Sequence, residues 1–310
     1  MTDQTLCNFD CPYCVTQPIR RSVPKKMWGS EDGEDRFKRI LRWLANTPWN
    51  LRIRLQTLGE PFVSSGFLSG AAWLSQQPNV QFVEMVTNGS FRDEQFHHFA
   101  TTAEIRRITL WMTYHPTEIT AEHLLSRAML AKSLGAFVIV HCLIFPDTEE
   151  KIDFLINLCR KNDIPTDVTA GHNYNGAYGS AGLIPILNAN PKALLRYRNK
   201  AVLKAMLTAH NDVLGLPCTA GHDYLFIRAD GAVYPCGAYA LLDHQQIGNV
   251  LNPEFKPVIQ PGRYSPCTKS GVCSCKEDYL HLQIAKFTLK MGQSLGYCIG
   301  SLSQEESAKS

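Results

Sequence analysis

Five apolar runs rich in β-branched residues, with stretches of helical periodicity between them, restrict this 310-residue chain to few architectures. The runs are Leu51 to Leu55, Val80 to Val86, Ile105 to Met112, Phe137 to Ile144 and Thr166 to Ala170. Apolar residues at three- and four-residue spacing mark helices at Arg36 to Ala45, Gly66 to Gln76, Asp93 to Ala100, Ala121 to Leu134 and Glu149 to Asn162. Strand, helix and strand in repetition, joined by short connections, make the strands parallel and the crossovers right-handed. The fold class is therefore α/β. A chain of this length buries a full core and has room for one large barrel with a small appendage.

Chemistry enters before the first helix. Cys7, Cys11 and Cys14 stand in the run Cys-Asn-Phe-Asp-Cys-Pro-Tyr-Cys. Three thiolates on one short loop suit three irons of a four-iron, four-sulfur cluster, since soft sulfur is the usual protein ligand of such clusters, and the remaining iron is left open. A structural zinc site wants another Cys or His close by. Here the first histidine is His97 and the next cysteine is Cys142. The 11 cysteines are odd in number and no basic and apolar leader opens the chain, which argues against a disulfide framework and for a reducing, cytoplasmic setting. With 31 Lys and Arg against 28 Asp and Glu, the net charge of +3 gives no footprint for a nucleic-acid backbone. No apolar run approaches the length of a membrane span.

The C-x3-C-x2-C spacing, with Tyr13 before the last cysteine, resembles the radical S-adenosylmethionine (SAM) enzymes. The resemblance implies a partial (β/α)6 TIM-like barrel and a SAM-binding 4Fe-4S cluster on Cys7, Cys11 and Cys14. SAM would hold the open iron through its amino and carboxylate groups and be cleaved reductively to a 5′-deoxyadenosyl radical. A reductant such as flavodoxin or ferredoxin is implied as a partner. Six strands require one ahead of the cysteine loop, where only Met1 to Leu6 lie, so that strand is very short or the natural chain starts upstream.

Further motifs fall at strand ends, where parallel β/α folds place their active-site loops. Leu58-Gly59-Glu60-Pro61 reads alone as a turn, yet it is similar to the family's Gly-Gly-Glu-Pro segment with Leu58 in place of the first glycine. The resemblance assigns Gly59 and Glu60 to the SAM amino group, and a charge-assisted hydrogen bond to an ammonium needs the Glu60 carboxylate. Thr87-Asn88-Gly89 resembles the family's Thr-Asn-Gly, and here an Asn-Gly turn and a ligand contact through Thr87 and Asn88 both stand. Thr113-Tyr114-His115-Pro116 resembles a Ser-Tyr-His-Pro element, which places Thr113 at the ribose or carboxylate of SAM. Tyr13 and Ile144 complete the expected cofactor contacts. His141 reads as a satisfied core histidine, and Cys142 and Cys159 as core thiols. The polar loop from His172 to Asn175 is the expected place of substrate contact, with His172, Tyr174 and Cys298 as catalytic candidates.

Beyond Pro217 the pattern changes. Asp230-Gly231 between two β-rich runs signals a hairpin, bracketed by Cys218 and Cys236. The C-x12-G-x4-C arrangement with later cysteines resembles the twitch or SPASM extension of radical SAM enzymes. It implies an auxiliary 4Fe-4S cluster on Cys218, Cys236, Cys273 and Cys275, with Cys267 as substitute if the gap between the last two is too tight. Zinc wants the same thiolates, and co-occurrence with the N-terminal motif decides for the cluster. The expected division is a core barrel over 1–210 and a cluster domain over 211–310. A small polar substrate is implied, a sugar, aminocyclitol or nucleoside derivative. The nearest resemblance is to aminocyclitol dehydrogenases, which oxidise an alcohol to a ketone. Epimerisation through a thiol (Cys142 or Cys298), decarboxylation, and peptide modification with a separate recognition partner are alternatives. A cysteine-rich metal-binding or electron-transfer protein is the non-enzyme alternative.

Overall fold

The computed structural model describes residues 4–14, 16, 31–145, 148–171, 212–270, 273, 289–291 and 298–300. The chain divides into two compact units, Thr2–Tyr197 and Arg198–Ser310. In chain order the first holds α1 (Glu31–Ala45), β1 (Leu51–Leu55), a 3-10 turn (Pro61–Val63), α2 (Ser65–Ser75), β2 (Val80–Thr87) and α3 (Asp93–Thr102). A second 3-10 turn (Ile105–Arg107), β3 (Ile108–Tyr114), α4 (Ala121–Ser133), β4 (Phe137–Ile144), α5 (Glu149–Lys161) and β5 (Thr166–Ala170) follow. The five strands form one parallel sheet in sequence order.

Two local readings of the sequence change. Ile105–Arg107 is a tight turn, closed by the Arg107 N–H donating to Glu104 O at 2.8 Å, and not the start of a strand. Helix α1 begins at Glu31, before the first apolar residue of its stripe, because a first turn of acids is favoured at a helix N-terminus and carries no hydrophobic period. Caps set the other helix starts: Ser64 Oγ accepts from Phe67 N–H, and Thr120 Oγ1 from His123 N–H, each at 3.2 Å.

Alternation along the strands gives the sheet two faces. One carries Val83, Met85, Leu110, Met112, Val138, Val140, Cys142 and Val168, all buried. The helices pack on this side, where a Cβ on Gly89 would touch both Leu124 of α4 and Met112 of β3. Each such side chain contributes about 1.5–3 kcal/mol when fully buried. The other face carries Arg54, Glu84, Trp111, Thr113, His141, Asp167 and Thr169 together with the apolar Phe82 and Ile139.

The second unit is built from short strands. Strand β6 (Pro217–Cys218) pairs antiparallel with β10 (Ser265–Pro266). Between them β7 (Phe226–Ile227), β8 (Ala232–Tyr234) and β9 (Gly248–Asn249) form an antiparallel sheet, with α6 (Gly237–Leu242) following β8. Strands β11 (Leu289–Met291) and β12 (Cys298–Gly300) also pair antiparallel. The hairpin read from Asp230-Gly231 is present: Gly231 takes φ +83°, which favours glycine, and Arg228 N–H donates to Ala232 O at 2.9 Å. No described helix is long and apolar enough to cross a membrane.

Candidate functional site

The cysteine loop is tied to the C-terminal ends of three strands by groups other than its thiols. After β1, the N–H groups of Leu58 and Gly59 donate to Gln4 O at 3.0 and 3.1 Å, and Glu60 N–H to Leu6 O at 2.8 Å. Gln4–Leu6 thus lie along the segment after β1 without forming a regular strand. After β2, Asn88 Nδ2 donates to Asn8 Oδ1 at 3.0 Å, and Asn8 Nδ2 donates to Ser90 Oγ at 2.8 Å. After β3, Tyr13 Oη lies 3.3 Å from His115 Nδ1. Thr16 Oγ1 also donates to Leu58 O at 2.8 Å.

Gly59 is required by this close approach. A Cβ there would lie 1.9 Å from Leu6 O, a backbone atom that does not swing aside. Gly59→Ala is therefore expected to destabilise the first unit by about 1–3 kcal/mol, the range for overpacking, and to loosen the cysteine loop. Denaturant midpoints together with retained iron check this. An unchanged midpoint and full iron would show that the N-terminal segment does not pack as described.

Glu60 lies 2% exposed. Its Oε1 accepts from Phe62 N–H at 3.1 Å and Thr87 Oγ1–H at 2.7 Å, and its Oε2 accepts from Asn88 N–H at 2.7 Å. This carboxylate, expected at the SAM ammonium, clasps the ends of β1 and β2, with Thr87 and Asn88 as its partners. Burial raises its pKa to about 7, against the lowering effect of the three donors.

Aromatic rings back the loop. Tyr13, 2% exposed, stacks on His115 at 5.9 Å and packs on Phe145 at 4.4 Å, while Phe9 meets His115 edge-on at 6.0 Å. Desolvation lowers His115 to about 4, so its ring is neutral and has a nitrogen able to accept from the Tyr13 hydroxyl. Burial first, then Glu118 and the neighbouring Cys14 and Cys7, push Cys11 up to about 12. Cys14 N–H turns back to Cys11 O at 3.1 Å, so these two cysteines share one tight turn. Three soft donors on one anchored loop fit a cluster that takes each thiolate on a different iron. Among the described residues no three His, Cys, Asp or Glu side chains converge as a single-ion site.

The second face of the sheet brings together residues that the sequence reading kept apart. Thr113 Oγ1 lies 3.4 Å from His141 Nδ1, and His141 Nε2 lies 3.0 Å from Thr169 Oγ1 and 3.8 Å from Asp167 Oδ2. His141 is satisfied, as its core reading requires, but by polar cross-strand partners. Asp167 and Thr169 were not singled out, although polar residues at alternate positions of a buried strand were a signal. Ile144 is wholly buried at the end of β4. Cys142 is wholly buried too, and burial, with Cys159 next, holds its thiol well above the usual range, so it is core on the helix-packed face.

In the second unit, Cys236 precedes α6 and is 7% exposed, and Cys273 is 6% exposed. Pairing of β6 with β10 sets Cys218 opposite Ser265, two residues before Cys267, whose N–H donates to Leu216 O at 2.8 Å. Tyr239 Oη lies 2.6 Å from Thr268 Oγ1. Burial chiefly raises its phenol, and Cys267 and Cys236 add to the rise. His172, Tyr174 and Cys275 lie outside the described residues, and of Cys298 only its backbone place on β12 is described.

No family model matches the chain, and no curated protein matches it. Solved structures do. Streptococcus suis SuiB bound to precursor peptide SuiA aligns at TM-score 0.56 and 14% identity over 82% of this chain and 62% of SuiB. A second structure of Streptococcus suis SuiB aligns at 0.55 and 13%, over 82% and 63%. Native anSMEcpe with bound AdoMet (SAM) aligns at 0.50 and 17%, over 80% and 76%. At these identities the likeness establishes a shared α/β fold around a parallel sheet. The chain spans under two thirds of SuiB's length.

Proposed function

We propose that the chain is a radical SAM enzyme with a partial (β/α)6 barrel and a twitch-type extension. The observation that carries this reading is the three-cysteine loop held against the ends of β1, β2 and β3 by Gln4–Leu6, Asn8 and Tyr13. Cys7, Cys11 and Cys14 would hold a 4Fe-4S cluster. When bound, the cluster and SAM supply a 5′-deoxyadenosyl radical that takes hydrogen from an unactivated carbon. The residues do the rest. Glu60 fixes the ends of two strands beside the loop, Thr87 and Asn88 complete that clasp, and Tyr13 with Phe145 and His115 shields the loop from water. A shared fold with a protein described with bound AdoMet supports the assignment.

The proposed reaction is oxidation of an alcohol to a ketone on a small polar substrate, with an auxiliary cluster as electron acceptor. Cys218, Cys236, Cys267 and Cys273 are the proposed ligands. Cys267 enters the set because pairing of β6 with β10 sets Cys218 opposite Ser265, two residues from it, and its neighbour Thr268 bonds Tyr239 on the helix that follows Cys236. A peptide substrate is the second reading, favoured by the fold shared with SuiB, described with a bound precursor peptide.

Anaerobic reconstitution with iron and sulfide tests the proposal. The protein is expected to take up about eight irons and, with dithionite and SAM, to release 5′-deoxyadenosine. Cys267→Ala is expected to lose about four irons while keeping reductive SAM cleavage. No iron uptake and no 5′-deoxyadenosine from the wild-type chain would reject the assignment. Full iron in Cys267→Ala would return the ligand role to Cys275.

A further inference from the structure

A parallel sheet is ordinarily apolar on both faces, because both are covered. The second face of this one has polar side chains on all five strands, beside the apolar Phe82, Ile139 and Leu143. Arg54 of β1 pairs with Glu84 of β2 and holds its guanidinium 4.8 Å from the ring centre of Trp111 on β3. Trp111 lies 5.1 Å from the ring of His141 on β4. From His141 the line continues to Thr113 at 3.4 Å, Thr169 at 3.0 Å and Asp167 at 3.8 Å. Thr113, His141 and Asp167 are lateral partners in the sheet register, so they form one row across three strands.

Stability does not account for such a row. Burying polar side chains costs desolvation that apolar side chains of similar size avoid, and the other face shows these same strands supplying apolar residues. Nor is the row sealed. The side chains of His141 and Arg54 keep 12% and 10% of their surface exposed, and Thr169 is half-buried.

We propose that Thr113, His141 and Thr169, backed by Asp167, are the substrate-contacting surface of the barrel, and that the substrate is a small hydroxyl-rich molecule, uncharged or bearing an amine. Threonine hydroxyls both donate and accept, and an imidazole ring has two nitrogens for polar partners, which suits the ambivalence of ligand hydroxyls. Within this line stand two carboxyl groups, of Glu84 and Asp167, and the one guanidinium of Arg54. An ammonium is therefore favoured over an anion. Placing a substrate here rests on the radical SAM reading; the chemistry of the contact does not.

The test uses the full chain, reconstituted anaerobically and loaded with SAM, with glucosamine, myo-inositol and glucuronate as probes read by saturation-transfer NMR. Transfer is expected to be strongest to glucosamine, weaker to myo-inositol and absent to glucuronate. His141→Phe and Thr169→Val should each lower transfer to glucosamine about fivefold, the worth of one net hydrogen bond, with SAM affinity within about twofold of wild type. Thr169→Val keeps the side-chain shape at a half-buried position, so it carries the test if His141→Phe does not fold. Unchanged transfer in Thr169→Val, strongest transfer to glucuronate, or none to any probe in wild type overturns the proposal. An about tenfold loss of SAM affinity in either folded variant gives the row to the ribose hydroxyls of SAM and overturns it equally. If wild type takes up no iron and binds no SAM while the probe ranking holds, the radical SAM reading fails and the contact surface stands.

Discussion

Replacing Cys7, Cys11 and Cys14 together by Ala is expected to remove about four of about eight irons and to reduce 5′-deoxyadenosine formation to background. The loss should be complete rather than graded, because a cluster without its thiolates does not assemble on the remaining loop. The fold should survive it. Groups other than the sulfurs dock the loop: Gln4 and Leu6 accept from the backbone of residues 58–60, Asn8 bridges Asn88 and Ser90, and Tyr13 meets His115. Circular dichroism melts should then match those of wild type, while iron analysis and the EPR signal of the reduced protein report the missing cluster. Residual SAM cleavage in the triple variant would move the reductive site elsewhere in the chain. A collapsed melt would mean that the cluster, and not the hydrogen bonds, holds the loop.

The strands that place this loop were legible because their signal is local. Leu51–Leu55, Phe137–Ile144 and Thr166–Ala170 have the limits that their apolar, β-branched runs suggest. Where a feature depends on partners from another element, local reading fails. His141 stands alone in its strand, and its two threonine partners are each 28 residues away, brought to it by the parallel register. The turn at Gly59 was legible, but its steric reason was not, since the carbonyl it must accommodate belongs to Leu6, which reaches it only after the chain has closed on itself. Glu60 shows the same limit. Its motif marked it as a site residue, yet spacing could not show that Thr87 and Asn88 would supply its donors.

Glu60 also sets an expected pH dependence. Its carboxyl is raised from 4.5 to about 7 by burial, so the folded chain binds the proton more tightly than the unfolded one. The resulting stabilisation is fully present below about pH 4.5 and is lost as pH rises to about 7, and over that window it amounts to on the order of 3 kcal/mol. Glu60→Gln removes the titration. The variant is expected to be less stable than wild type at pH 5, because its amide N–H groups replace an acceptor facing Thr87, Asn88 and Phe62 donors. The gap should shrink as pH rises to 7.5, since only wild type pays the cost of ionising a buried acid. Urea midpoints of the two proteins at pH 5.0, 6.0 and 7.5 decide the matter. If the gap widens with rising pH, the donors outweigh burial, the pKa lies below 4.5, and Glu60 is an ionised clasp at every pH at which the protein works.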